Sequence, residues 1–161
     1  MSLTIRPATV ADVGTILEFI RELAAFERLE HEVVASESGL REALFGARPD
    51  AEVILAEMDS TPVGFALFFH NFSTFLGRRG LYLEDLFVQP EYRGRGIGRA
   101  LLSRLAAIAV ERGCGRFEWS VLRWNESAII LYEALGAKPQ DDWTVYRMSG
   151  EALSRLATGE R

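Results

Sequence analysis

Three glycines alternate with other residues in the middle of the chain, where a strand-like run passes into a helix-like run: Gly94, Gly96 and Gly98. Alternating glycines let the backbone approach a ligand closely and turn successive N–H groups into one concavity. The N-terminus of the following helix adds partial positive charge. Full positive charges come from Arg93, Arg95 and Arg99. Together these features predict a binding site for a diphosphate.

Of three other interpretations of this segment, the first is excluded and two stay open. A P-loop would end in Gly-Lys-Ser or Gly-Lys-Thr, which the segment lacks. In a dinucleotide-binding fold the first glycine follows the strand directly, whereas five residues separate Val88 from Gly94 here. Glu118, 20 residues beyond Gly98, keeps that interpretation open. A turn with solvated arginines is the third, although three glycines at a helix start cost stability if nothing binds there.

The stretch Arg93–Gly98 resembles the coenzyme A motif Arg/Gln-x-x-Gly-x-Gly/Ala of the GNAT acetyltransferase superfamily. Further segments resemble its diamine N-acetyltransferase subgroup, which includes spermidine/spermine and thialysine acetyltransferases, and they occur in the same order over nearly the whole chain: Arg6-Pro7-Ala8-Thr9, Glu22-Leu23-Ala24, Tyr82-Leu83-Glu84-Asp85, Tyr92-Arg93-Gly94, Trp124-Asn125-Glu126 and Gly136-Ala137. The resemblance implies an α/β fold with a central, mostly antiparallel twisted sheet, a splayed parallel pair and flanking helices.

The same resemblance implies acetyl-CoA as cosubstrate and direct transfer of its acetyl group, in a ternary complex, to a primary amine of a small cationic substrate. The implied acetyl-CoA-binding residues are Leu86, Phe87, Val88, Arg93, Gly94, Arg95, Gly96, Ile97, Gly98, Arg99, Asn125, Ser127, Ala128 and Tyr132. A backbone N–H near Phe87 or Val88, beyond a β-bulge, is the implied donor to the oxyanion.

Acetyl transfer benefits from an acid that protonates the departing thiolate, and Tyr132 is the candidate. Tyr132 lies seven residues after Asn125, which returns it almost to the same helix face. By resemblance, the tyrosine at this place is the acid. The alternative is that Tyr132 packs its helix against the sheet.

The acceptor amine must lose a proton, and Glu84 is the candidate base or amine-binding carboxylate. Strict alternation along a strand predicts that Glu84 and Asp85 face opposite sides. A carboxylate in an apolar strand is costly unless paired, which favours a functional role for at least one of them. Asp85 is expected to be structural or to help hold the amine.

The rest of the acceptor pocket is assigned by resemblance to Phe26 and Glu27, at the end of the first helix. Glu30 and Glu32 either extend a negative patch or are ordinary solvated surface. Further candidates on a later strand are Glu118, Trp119 and Ser120. Arg28 departs from the subgroup, which has an aromatic residue there, and this places a cation beside the expected cation pocket.

Hydrophobic periodicity places these residues on strands and helices. The predicted strands are Leu3–Arg6, Glu52–Glu57, Val63–Phe72, Leu81–Val88, Arg116–Leu122 and Trp143–Met148. The predicted helices follow Thr9 as far as Phe26, follow Ser36 as far as Gly46, span Ile97–Arg112, follow Asn125 as far as Gly136, and span Glu151–Ala157. No linker or repeat interrupts them, so residues 1–161 are expected to form one domain.

Composition excludes several classes of function. A net charge of −5 makes nucleic acid and membrane surfaces poor partners. One cysteine, Cys114, and no signal or membrane segment predict a cytoplasmic protein, and no metal site is expected around His31 or His70. A homodimer is implied by the resemblance. Two rival functions stay open: a protein- or peptide-directed acetyltransferase and a non-catalytic acetyl-CoA-binding module.

Overall fold

A five-stranded sheet in the order β1-β2-β3-β4-β5 forms the centre of the fold. In the computed structural model, which describes residues 2–159, the strands are β1 (Leu3–Pro7), β2 (Glu52–Met58), β3 (Thr61–Ser73), β4 (Arg78–Val88) and β5 (Phe117–Trp119). Strands β1 to β4 pair antiparallel with their sequence neighbours, and β5 lies parallel to β4. This confirms the predicted α/β class with a mostly antiparallel sheet and one parallel pair.

The parallel pair is short. Strands β4 and β5 are in register only from Leu81 opposite Phe117 to Leu83 opposite Trp119. Strand β4 continues to Val88. Within residues 2–159, no strand therefore pairs with the β5-facing edge of β4 beyond Leu83, as expected for a splayed pair.

Three helices accompany the sheet within the compact unit Met1–Ser120: α1 (Val13–Phe26), α2 (Glu37–Phe45) and α3 (Ile97–Glu111). A capping box begins the 3-10 turn Val10–Asp12, which leads directly into α1: the Thr9 N–H donates to Asp12 Oδ2 at 2.7 Å. Arg6 donates to both Asp12 and Glu57, at 2.9 and 3.1 Å, and so ties the first strand to the helix start and to β2. These contacts fix where the first helical segment begins relative to β1 and β2.

The core lies on both faces of the sheet. Helices α1 and α2 cover one face, where they bury Ile16, Phe19, Leu23, Leu44, Val53, Leu55, Phe65 and Phe87 together. Residues between these on the strands, such as Ile54 and Ala66, are also buried and face the opposite side by alternation. There α3 packs against β4 and β3 through Leu101 and Leu105, which are fully buried.

A second compact unit, Val121–Arg161, contains α4 (Glu126–Ala134) and α5 (Gly150–Ala157). The strand predicted for Trp143–Met148 is wrong: this segment has no regular secondary structure. Its alternating apolar side chains suit a strand, but a strand also needs a partner, and residues 121–159 contain no other strand to provide one.

Several predicted strand limits also differ from the structure. Strand β5 is shorter than the predicted Arg116–Leu122, because only Phe117–Trp119 pair with β4. Strands β3 and β4 extend further towards each other than predicted and form a long hairpin closed by residues 74–77, in which Gly77 has a φ of +63°.

Candidate active site

The glycine loop connects a 3-10 turn, Pro90–Tyr92, to the first turn of α3. Gly94 and Gly96 have φ of +77° and +80°, in the left-handed region that glycine adopts without strain. Gly96 is the N-cap of α3, so the unpaired N–H groups of the first helical turn begin directly after it. Arg95 and Arg99 are exposed beside this turn.

Space next to the loop is open. A Cβ atom added to Gly94 or Gly96 would have no heavy atom within 4 Å. The alternating glycines therefore leave open space beside the backbone, next to a helix N-terminus and exposed arginine side chains. These residues fit the diphosphate of acetyl-CoA, which would lie against groups that can all donate to it.

Changing Gly96 to alanine is expected to weaken acetyl-CoA binding about tenfold, because the added methyl group would occupy the open space and the left-handed backbone costs alanine about 1 kcal/mol. Isothermal titration with CoA measures this. Gly77→Ala is the matched control, since Gly77 is also left-handed with nothing within 4 Å of a Cβ. Equal losses of CoA affinity in the two variants would contradict a binding role for the loop.

A β-bulge in β4 changes the expected geometry of the acidic pair. Leu83 pairs with Phe68 and Asp85 with Leu67, so Glu84 is an extra residue without a partner on β3. Cross-strand partners share a face, and the extra residue interrupts the alternation. The prediction that Glu84 and Asp85 face opposite sides is therefore wrong, and both lie on the face of the sheet that α1 covers.

Two carboxylates at this bulge act on the charge of a third, Asp85. Burial, followed by the negative charges of Glu84 and Glu27, raises the pKa of Asp85 from 3.8 to about 6. Burial also raises the pKa of Glu27, the residue directly after α1. Glu84 itself is exposed. The structure thus brings the predicted acceptor residues Glu27, Glu84 and Asp85 together, and it makes ionisation of Asp85 costly unless a cation is present.

At the end of β4, the side chains of two predicted cofactor residues are buried, unlike those of the glycine loop. Phe87 and Val88 are buried, and the Phe87 ring lies 5.9 Å from that of Phe19 in the core. Their side chains are structural, so only their backbone groups can face a ligand. Leu86 is partly exposed and approaches Gly98 at the start of α3.

Arg93 has contacts that the sequence did not suggest. Its Nε donates to the Val88 carbonyl oxygen at 2.8 Å. Its guanidinium carbon lies 4.7 Å from the centre of the Phe26 ring and 5.6 Å from that of Phe87. Arg93 therefore joins the glycine loop to the end of α1, where Phe26 and Glu27 were assigned to the acceptor pocket.

The β5 candidates form a polar row with residues that sequence reasoning missed. Asn71 Nδ2 donates to Glu118 at 3.4 Å, and the Tyr82 and Ser120 hydroxyl oxygens are 2.9 Å apart. Asn71 reaches β5 by crossing Gly80, where an added Cβ would lie 2.5 Å from Asn71 Oδ1. In the sequence, the only sign of this crossing was a glycine, Gly80, within a strand. The Trp119 ring packs edge-on against Phe117 at 4.8 Å, as part of the apolar strand face.

The remaining cofactor candidates belong to the second unit. Asn125 is the N-cap of α4, and its side-chain oxygen accepts from the Ala128 N–H and the Ser127 hydroxyl, each at 3.4 Å. Tyr132 lies two turns further along the same helix, as predicted. The structure thus confirms the local helix and cap on which these assignments depend.

Within residues 2–159, no three His, Cys, Asp or Glu side chains are grouped so that they could hold a metal ion. Across the same residues, no helix has both the length and the apolar character needed to cross a membrane.

Comparisons with known proteins agree on one family. A model of the family described as acetyltransferase (GNAT) family matches residues 17–137. The chain is 41% identical to thialysine N-epsilon-acetyltransferase of Mus musculus, over 97% of this chain and 98% of that one. It is 35% identical to an L-ornithine N5-acetyltransferase of Arabidopsis thaliana, over 94% and 86% of the two chains. An integron cassette protein from the mobile metagenome of V. cholerae has a similar structure, with a TM-score of 0.81, 29% identity and 98% of each chain covered.

Proposed function

The chain belongs to the GNAT family of acetyl-CoA-dependent N-acetyltransferases, and on that premise we propose that it acetylates the side-chain or terminal primary amine of a small cationic substrate, such as a lysine-like amino acid or a diamine or polyamine. The observation that carries the proposal is the group of carboxylates at the β4 bulge, Glu27, Glu84 and Asp85. The names of the relatives support it, because thialysine and ornithine are both amino acids with a side-chain amine.

Acetyl-CoA supplies the activated acetyl thioester. In the proposal, its diphosphate is held by the N–H groups of the glycine loop and by Arg95 and Arg99, and its pantetheine arm lies along the unpaired edge of β4. A backbone N–H near Phe87 or Val88 donates to the oxyanion that develops on the acetyl carbonyl. Asn125, with Ser127 and Ala128, contacts the pantetheine arm.

The carboxylates act on the amine. Asp85 binds the ammonium form, because pairing with a cation relieves the cost of its half-buried charge. Glu84 is exposed and accepts the proton that the amine must lose, directly or through water. The free amine then attacks the thioester carbon, the carbon–sulfur bond breaks, and Tyr132 gives its hydroxyl proton to the departing thiolate. The second proton that the nitrogen loses as the amide forms returns Tyr132 to its protonated state.

A thiol-release assay tests the proposal. Acetyl-CoA is supplied with thialysine, ornithine, lysine, putrescine, spermidine and a lysine-containing peptide, and free CoA is measured. We expect turnover with the small amines and weak turnover with the peptide. Preference for the peptide would favour the protein-directed alternative. CoA binding without turnover on any amine would favour a non-catalytic acetyl-CoA-binding module.

Replacing Glu84 by glutamine is expected to lower kcat/KM for the amine by about 10²-fold, since general base catalysis contributes this order of magnitude. The remaining activity should shift to higher pH, because more of the amine must then lose its proton in solution. A pH series of kcat/KM measures both effects. Glu91→Gln, on the exposed 3-10 turn before the glycine loop, is the control. An unchanged pH profile in Glu84→Gln would exclude the base role.

Three further parts of the proposal concern the whole molecule. Residues 1–161 act as one catalytic domain, which is supported by the family model, since its match at 17–137 crosses the division between Ser120 and Val121. The protein acts in the cytoplasm, in keeping with its single cysteine. It functions as a homodimer, as the resemblance to the diamine acetyltransferase subgroup implies.

A further inference from the structure

Arg93 differs from the other arginines of the glycine loop in where its side chain lies. The Arg95 guanidinium lies 5.2 Å from the ring of Tyr92, within its own loop. Arg93 instead turns back over the end of β4, where its Nε donates to the Val88 carbonyl oxygen at 2.8 Å. A side chain held there is directed away from the open space beside Gly94 and Gly96.

The guanidinium of Arg93 contacts both the core and the candidate acceptor pocket. It lies 4.7 Å from the ring centre of Phe26 and 5.6 Å from that of Phe87. The Phe87 ring is buried, whereas Phe26 is 41% exposed at the last residue of α1. Arg93 thus contacts one buried aromatic ring and one partly exposed ring, and the attraction between a cation and an aromatic face favours this arrangement.

The residue that follows Phe26 is Glu27, whose charge acts on Asp85. The position of the α1 end therefore influences the carboxylates assigned to the amine. Among the residues that the structure describes, Arg93 makes no salt bridge, so its charge is balanced only by a carbonyl oxygen and two aromatic faces. A diphosphate bound at the adjoining loop would supply a nearby negative charge and strengthen its position.

We infer that Arg93 is a positioning residue that couples the two substrates: with acetyl-CoA bound at the glycine loop, Arg93 holds Phe26 and Glu27 in the arrangement that binds the amine. This inference rests on the proposed function for the identity of the second substrate. It differs from a role as one more diphosphate ligand, because it assigns the main effect of Arg93 to the acceptor side.

Steady-state kinetics separate the two roles. Arg93→Gln is expected to raise the KM for the amine about tenfold at saturating acetyl-CoA, while the Kd for CoA changes less than about threefold. Arg95→Gln is the matched loop variant, and the opposite pattern is expected for it. A raised Kd for CoA with an unchanged amine KM in Arg93→Gln would overturn the inference.

A double-mutant cycle tests the contact itself. Phe26→Leu removes the aromatic face and keeps an apolar side chain at the end of α1. If Arg93 acts through Phe26, the double variant should have nearly the same amine KM as Phe26→Leu alone. Additive increases in KM would show that the two residues act independently and would overturn the inference.

A spectroscopic readout does not depend on which amine is acetylated. In a ¹⁵N NMR titration with CoA, the Glu27 amide signal should shift in the wild type and in Arg95→Gln at saturation, and it should stay in place in Arg93→Gln. Equal shifts of the Glu27 signal in all three proteins would overturn the inference. If the wild-type protein acetylates none of the amines, the proposed function fails, while this titration still decides whether Arg93 connects the two sites.

Discussion

Replacing Tyr132 by phenylalanine should slow turnover by about 10²-fold or more while acetyl-CoA binds as tightly as before, because a general acid contributes to the transition state and not to ground-state binding. The tyrosine lies on α4, two turns beyond the Asn125 cap, so the substitution removes one hydroxyl group without changing the helix. The amine KM should change little. Rapid-quench or steady-state thiol release, together with CoA titration, measures these quantities.

Tyr146→Phe is the matched control, because Tyr146 belongs to the same unit and is 96% exposed. It should turn over like the wild type. A higher pH should not restore the turnover rate of Tyr132→Phe, since phenylalanine has no proton to give. An analogue of acetyl-CoA whose leaving group needs no protonation should reduce the difference between Tyr132→Phe and the wild type. Wild-type turnover in Tyr132→Phe with acetyl-CoA would exclude the acid role.

Asp85→Asn should make the protein more stable and less active at the same time. Burial and the charges of Glu84 and Glu27 raise the pKa of Asp85 from 3.8 to about 6. The folded state thus holds the Asp85 proton between these pH values, whereas the unfolded chain has lost it. The proton on Asp85 stabilises the folded state, and this contribution is fully present below about pH 4. It is lost as the pH rises through 6, and the loss of folding free energy reaches about 3 kcal/mol at pH 8.

Asparagine cannot ionise, so Asp85→Asn avoids this loss. Urea unfolding should show the variant more stable than the wild type at pH 8 by up to about 3 kcal/mol, with the difference disappearing near pH 4. The amine KM should rise by at least about tenfold, because the cation loses its buried partner. In the wild type, kcat/KM for the amine should also fall below pH 6, as protonation removes the charge of Asp85.

Asp142→Asn, at an exposed aspartate of the second unit, provides the control for the loss of one negative charge. It should leave the amine KM unchanged. If Asp85→Asn is destabilised at pH 8, the Asp85 carboxylate makes a net favourable interaction in the free protein, and the assigned role as an unpaired amine anchor is wrong.

The glycine loop shows what sequence reasoning predicts well. The alternating glycines predict a backbone that a ligand can approach closely at the start of a helix. In the structure, Gly94 and Gly96 have left-handed backbone, Gly96 is the N-cap of α3, and the space beside both is open. Strand and helix types in the first unit follow in the same way from the period of apolar residues. The identity of the ligand, by contrast, came from resemblance, because several phosphate sites use similar loops.

Features that depend on distant parts of the chain could not be predicted. The bulge at Glu84 arises from the register between β4 and β3, and the sequence of β4 alone does not predict it. Arg93 meets Phe26 only because α1 ends above the end of β4. Trp143–Met148 has the period of a strand, yet pairing is a property of two segments, and its own unit offers no second one.

The extra residue in the bulge, Glu84, is needed by the proposed reaction but not by the pairing of the strands. On either side of Glu84, β4 keeps its pairing with β3, at Leu83 opposite Phe68 and at Asp85 opposite Leu67. A chain shorter by this one residue would have a continuous ladder with the same buried partners. The sheet thus carries an insertion that its architecture does not need, and we expect deletion of Glu84 to leave a folded protein without the proposed base.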